Sequence, residues 1–158
     1  MENFNDLTNF HVVGISYRNA DLYTRGKFSL SKAQRLTILN KARAQNINEI
    51  FISSTCNRTE IYSFAGNSSL LVNLLCENSK GDRETFENLG YILKNTEAVN
   101  HIFKVGTGLD SQILGDFEII GQLKNGVHLS KENNLIGNFT ERLMNCVIQA
   151  SKRIKTET

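Results

Sequence analysis

The chain has 158 residues, a formal net charge of +2, 40% hydrophobic residues and 22% charged residues. That suffices for one domain with its own core, or for one domain with a helical extension. The near-neutral balance creates no overall field that demands nucleic acid or an anionic membrane, although a local basic groove is compatible with it. No apolar run approaches the ~20 residues of a membrane span.

Residues 1–6 lack the basic-then-apolar order of an export signal. The three cysteines, Cys56, Cys76 and Cys146, are odd in number and widely spaced. Reduced thiols in a cytoplasmic, membrane-free protein are therefore expected. There is no proline, so the turns must be made by Gly and Asn.

Residues 1–9 are polar. Residues 10–16 (Phe-His-Val-Val-Gly-Ile-Ser) are rich in β-branched side chains and read as a first strand. Residues 17–30 read as a mixed, partly basic loop. Ser31 with Gln34 fits a capping box. The helix it opens runs to about residue 45, with Ala33, Leu36, Leu39 and Ala42 on a buried stripe. A second strand follows at 49–53, then the polar turn 53–60, then a third strand at about 59–65. Gly66-Asn67-Ser68 punctuates, and an apolar helix covers about 69–77. Residues 78–88 are charged and loop-like with at most one helical turn, and 90–94 reads as a short fourth strand.

The order β-α-β-β-α-β makes this an α+β chain. It predicts a ferredoxin-like antiparallel sheet with helices on one face. The remainder reads as a C-terminal helical extension, with helices at 96–104, 117–131 and 140–156. Gly106-Thr107-Gly108 and the Asn and Gly pairs at 133–134 and 137–138 act as breakers. The division is thus a core at 1–95 and a helical part at 96–158. The sequence stops inside a helical pattern, which fits a fragment cut before a further domain.

The turn Ser53-Ser54-Thr55-Cys56-Asn57-Arg58-Thr59-Glu60 carries the chemistry. Cysteine attacks as the thiolate, and a thiol of pKa ~8.5 needs a nearby positive charge to be activated. Arg58 lies two residues away. Cys56 is a candidate nucleophile, or else a small hydrophobe like most cysteines. Cys76 and Cys146 lie among apolar residues and read as packed. His101 is catalytic or a satisfied core residue; His11 reads as packed and His128 as exposed. No Cys or His pairs have zinc-ligand spacing. The 106–108 glycines lack the third Gly and the preceding strand of a dinucleotide fingerprint.

Residues 53–62 resemble the signature of glutamyl-tRNA reductases. Residues 12–16, 101–105 with 108–111, and 120–122 agree, and the last helix resembles the family where its nicotinamide-binding domain is about to begin. The resemblance implies that Cys56 takes the glutamyl group from glutamyl-tRNA as a thioester. NADPH, bound by another domain, would reduce that thioester to glutamate-1-semialdehyde for tetrapyrrole and heme synthesis. It also implies that His101 acts in catalysis. By the same resemblance Thr55, Asn57, Arg58, Ser111, Asp116, Phe117, Glu118 and Gln122 bind substrate, with Arg58 forking the substrate carboxylate. A homodimer formed through a missing C-terminal domain, and a contact with the next enzyme of the pathway, follow as expectations. The chain departs from the family at Asp116-Phe117-Glu118, where Glu-Pro-Gln is usual, and at Tyr17-Arg18, where His-Lys is frequent. The alternative is a binding module for aminoacyl-tRNA or a protein partner, with Cys56 idle.

Overall fold

The computed structural model describes residues 9–64, 67–111 and 118–157. Four strands, β1 (Phe10–Ser16), β2 (Ile50–Ser54), β3 (Arg58–Phe64) and β4 (Tyr91–Lys94), form one sheet in the order β2-β3-β1-β4. Every neighbouring pair is antiparallel. This is the expected β-α-β-β-α-β sheet, with β1 and β3 at its centre.

Among the described residues seven helices surround it: α1 (Leu22–Phe28), α2 (Lys32–Ala44), α3 (Ser68–Asn78), α4 (Arg83–Leu89), α5 (Asn95–Gly106), α6 (Glu118–Glu132) and α7 (Asn138–Glu157). The Ser31–Gln34 capping box is present, with Ser31 Oγ accepting from the Gln34 N–H and the Gln34 side chain accepting from the Ser31 N–H. Two helices correct the sequence reading. Residues 17–30 contain α1, capped by Asp21, and residues 78–88 contain most of α4, capped by Asp82. Each spans seven residues and buries one apolar anchor, Phe28 or Phe86. A single anchor makes no periodicity, so neither helix was visible as a stripe. The two rings meet at 6.3 Å.

Strand side chains alternate between the two faces. Val13, Ile15, Ile50, Ile52 and Ile61 pack with residues of α2, α3 and α4 into one core. Phe10, Val12, Phe51 and Tyr62 pack on the opposite face with α5, α6 and α7. The helical extension therefore covers the sheet face that the β-α-β-β-α-β unit leaves open. That is why all seven residues of β1 are buried.

Among the described residues, Asn and Gly take the left-handed positions of the chain. Asn46, Asn95 and Asn134 adopt φ of 65°, 56° and 59°, and Gly108 adopts 81°, the left-handed region that Asn and Gly tolerate best. The start of α7 is fixed from a distance. Glu49 Oε1 accepts from the Gly137 N–H at 2.9 Å and from Thr140 Oγ1 at 2.7 Å. A carboxylate there also faces the positive end of the helix dipole. Among the described residues no helix is long and apolar enough to cross a membrane.

Close approach of α6 to β2 depends on Gly126, where an added Cβ would stand 2.2 Å from the Ile52 carbonyl oxygen. Backbone cannot step aside, so Gly126→Ala is expected to cost about 1–3 kcal/mol by overpacking. On the same helix Gly121 has open space around its Cβ position. Gly121→Ala is expected to stabilise by up to ~1 kcal/mol through helix propensity. Urea midpoints of the two variants should move in opposite directions.

Candidate active site

The polar turn is a tight hairpin tip between β2 and β3. The Thr55 N–H donates to the Arg58 carbonyl at 2.8 Å. Thr55 Oγ1 accepts from the N–H groups of Asn57 and Arg58 at 3.1 and 3.2 Å. Such side-chain bonds to nearby backbone are how Thr shapes a turn. Two outside contacts hold the tip. The Tyr17 N–H donates to the Asn57 carbonyl at 2.9 Å. Arg25 Nε donates to the Cys56 carbonyl at 3.0 Å. Cys56 itself is exposed. The backbone under the thiol is thus fixed while its side chain is left to solvent.

Below the tip, β3 presents Arg58, Glu60 and Tyr62 at two-residue spacing on one face, and all three are buried. Glu60 has no exposure at all. It accepts from the Tyr62 hydroxyl, from the Tyr91 hydroxyl at 2.5 Å and from His101 Nε2. Gly14 stands opposite Glu60 in the β1–β3 register. A Cβ on Gly14 would come within 2.8 Å of Glu60 Cγ and 2.7 Å of the Thr59 carbonyl oxygen. The glycine makes the room that the carboxylate occupies. Burial alone would raise the Glu60 pKa, but His101, Arg58 and Tyr62 outweigh it and pull it down to about 2. Burial and the Glu60 charge push the Tyr62 and Tyr91 hydroxyls well above their ordinary value, so both stay protonated donors.

Arg58 is equally enclosed. Its Nη1 donates to Asp110 Oδ2 at 2.9 Å, its Nη2 donates to the Asp110 carbonyl, and Glu60 lies 3.9 Å away. Burial opposes its charge, while Glu60 and Asp110 hold the guanidinium firmly protonated. Arg18 Nε reaches the other Asp110 oxygen. The two guanidiniums therefore converge on one carboxylate. The Tyr17 ring lies beside both, with centroid distances of 5.4 Å to Arg18 and 5.8 Å to Arg58.

This network opens into a cleft of about 570 Å³ lined by Ser16, Arg18, His101, Lys104 and Asp110 among others. Its described lining does not include Cys56. The tip and the cleft are linked through Arg58, which follows the turn on β3 and reaches Asp110 at the cleft wall.

The expected site residues fall into three groups. Thr55, Cys56, Asn57 and Arg58 form the tip and its root. His101 is brought to that root from α5 by Glu60, and Ser111 is half-buried next to Asp110. Glu118 and Gln122 are exposed one turn apart on α6. Asp116 and Phe117 lie outside the described residues. Arg58 was expected to fork a substrate carboxylate; its guanidinium is instead engaged by Asp110 in this structure. Cys146 was expected to pack and is exposed, whereas Cys76 is half-buried, where desolvation raises its thiol pKa.

Sequence reasoning missed Glu60 as a site residue, and with it Gly14, Tyr62, Tyr91 and Asp110. One signal was available: Arg58, Glu60 and Tyr62 alternate with Thr59 and Ile61, and a strand places the first three on one face. Their partners lie 31–52 positions further along the chain or across the sheet, which no local pattern reports.

The domain is thus an α+β fold that displays an exposed cysteine on a fixed hairpin tip, above a buried Arg–Glu–Tyr stack. Residues 13–158 match the family model described as glutamyl-tRNAGlu reductase, N-terminal domain. The chain is 54% identical to glutamyl-tRNA reductase 2 of Flavobacterium johnsoniae over 100% of its own length and 37% of that protein. It is 36% identical to glutamyl-tRNA reductase of Clostridium novyi over 94% of its length and 37% of that protein. The solved glutamyl-tRNA reductase from Methanopyrus kandleri shares the fold, with a TM-score of 0.79 at 21% identity over 96% of this chain and 35% of that one. The chain belongs to the glutamyl-tRNA reductase family and corresponds to its N-terminal domain. It spans a little over a third of the length of those relatives.

The Glu60 carboxylate makes stability acid-sensitive. Its pKa of about 2 lies below the ordinary 4.5. An unfolded chain therefore binds more protons between those values, and stability falls as pH drops through that window. At ~1.4 kcal/mol per pH unit, the paired carboxylate contributes about 3 kcal/mol above pH 5, and Glu60→Gln should lose it. Urea unfolding between pH 6 and pH 3 should show a steeper decline for wild type than for Glu60→Gln.

Proposed function

We propose that this domain carries out the covalent half-reaction of glutamyl-tRNA reductase. The Cys56 thiolate attacks the ester carbonyl of glutamyl-tRNA. A C–S bond forms, the bond from that carbonyl to the 3′-ribose oxygen breaks, and the oxygen leaves as a hydroxyl after taking one proton. The product on the protein is a glutamyl thioester, whose carbonyl is more electrophilic than a carboxylate's. The observation that carries this reading is the exposed Cys56 on a tip pinned by Tyr17 and Arg25, within a chain that matches the family over nearly all its length.

The remaining roles follow from the geometry. His101 is the proposed proton-handling group. Its Nε2 is engaged by Glu60, and the residue lines the cleft. The Arg58–Asp110–Arg18 cluster is the proposed receptor for the substrate carboxylate. Only the Nε of Arg18 is tied to Asp110, and its side chain is 56% exposed, so its terminal nitrogens can receive a carboxylate as a fork. Thr55 and Asn57 shape the tip that meets the ester, and Ser111, Asp116, Phe117, Glu118 and Gln122 are proposed to complete the glutamyl site.

Reduction of the thioester to glutamate-1-semialdehyde needs a hydride donor, which is NADPH in this reading. The turn at 106–108 does not fit it. Gly106 packs with its Cβ position 2.3 Å from Val147 Cγ1, and the 106–108 turn follows a helix rather than a strand. The donor site is therefore assigned to a domain outside this chain. We also assign the full-length enzyme to the cytoplasm and to tetrapyrrole synthesis, as a homodimer that passes its reactive aldehyde to the next enzyme.

In the full-length reductase, Cys56→Ser should lower NADPH-dependent aldehyde formation by about 1,000-fold or more, because the attacking group is removed. Cys76→Ser should keep activity within about twofold, since that thiol contributes packing only. An active Cys56→Ser enzyme would refute the thioester.

A further inference from the structure

The segment between β1 and α2 carries surface chemistry that the acylation step leaves unused. It is tied to the nucleophile's own backbone. Tyr17 holds the Asn57 carbonyl, Arg25 Nε holds the Cys56 carbonyl at 3.0 Å, and Arg25 Nη1 bonds the Ala20 carbonyl at 2.7 Å. On the outer side of α1, Leu22 and Tyr23 are 66% and 75% exposed, the two most exposed large hydrophobics of the described residues. Lys27 Nζ lies 4.7 Å from the Tyr23 ring centroid, a cation–π arrangement that holds the ring upright against α1. The Lys80 backbone N–H donates to the Lys27 carbonyl at 2.8 Å, which ties an exposed lysine's backbone to the end of α1. Asp21 and Asp82 cap the adjoining helices, accepting from the Thr24 and Thr85 N–H groups, and their charges also act on Lys27.

An exposed aromatic ring with one lysine against it, and a second exposed lysine on the adjoining segment, matches the two surfaces of a single-stranded nucleic acid, base faces and phosphates. The chemistry at the tip says which strand arrives there. When the acyl group reaches Cys56, the leaving oxygen belongs to the last ribose of an RNA. The final nucleotides of that RNA must then lie beside the hairpin tip, on the surface to which α1 is fastened.

We propose that α1 is the docking platform for the single-stranded 3′ end of the tRNA, with Tyr23 stacking on a base and Lys27 and Lys80 holding phosphates. The assignment rests on the thioester reading, and it adds a binding surface that lies apart from the cleft.

The test uses the full-length reductase and a short single-stranded RNA of the tRNA 3′-terminal sequence, with glutamate joined to the terminal ribose through a stable amide. Fluorescence anisotropy gives Kd against salt. Tyr23→Ala should weaken binding roughly tenfold, and Tyr23→Phe should restore it, because the ring and not the hydroxyl stacks. Lys27→Ala should reduce the slope of log Kd against log salt by about 0.7, one single-strand phosphate. Unchanged affinity and slope in these variants would overturn the platform. So would a Tyr23→Ala enzyme with normal RNA affinity but altered thermal stability or assembly, which would assign this face to the rest of the protein. Transfer of labelled glutamate from glutamyl-tRNA to wild-type Cys56 is read separately. Its failure would remove the thioester reading, while the Kd series still decides whether α1 binds RNA.

Discussion

A carboxylate with no access to water stays ionised only if its surroundings supply what water would have supplied. Glu60 meets that condition with two tyrosine hydroxyls, one imidazole and a guanidinium nearby. Much of the architecture is arranged to make this hold. Gly14 gives the side chain its space, and β4 brings Tyr91 to the sheet edge. The helix α5 brings His101 down onto the same oxygen. The network lies on the sheet face that α5, α6 and α7 cover, so removing that cover would expose the charges and weaken every bond among them. The extension is thus part of the site rather than an appendage to it.

The same strand that buries Glu60 begins at the hairpin tip that carries Cys56. One residue, Asn57, separates Cys56 from Arg58, and in that distance the chain passes from an exposed thiol to a guanidinium with 2% exposure. The fixed end of this short lever is the Arg58–Asp110 pair, and the free end is the cysteine. In the proposed acylation, pre-set geometry of this kind lowers the cost of bringing the nucleophile to the ester. Asp110 occupies the donors that would suit a substrate carboxylate, which directs attention to Arg18 at the cleft.

Much of this was legible in the sequence. The polar turn between two apolar runs identified the tip. Alternation gave the strands, the Ser31–Gln34 box gave the start of α2, and 3.6-residue stripes gave α5, α6 and α7. The short helices α1 and α4 were not legible, because Phe28 and Phe86 are lone anchors. Glu60 was read as the polar end of the turn, although it is the most enclosed charge in the site. A buried ion is specified by partners from distant elements, here Tyr91 and His101, and nothing in residues 56–62 announces them. Asp110 stayed hidden for the same reason. Asp116 and Phe117 lie outside the described residues, while Glu118 and Gln122 are on an exposed turn of α6.

In the proposed acylation His101 handles the proton, and Glu60 serves it by holding the imidazole rather than by acting on its own. A double-mutant cycle tests it directly. Single-turnover rates of glutamyl transfer to Cys56 would be measured for wild type, Glu60→Gln, His101→Ala and the double variant, at a pH where all remain folded. If Glu60 acts through His101, the double variant transfers no more slowly than His101→Ala alone. Losses that simply multiply would show that the two residues act independently, and would contradict the account.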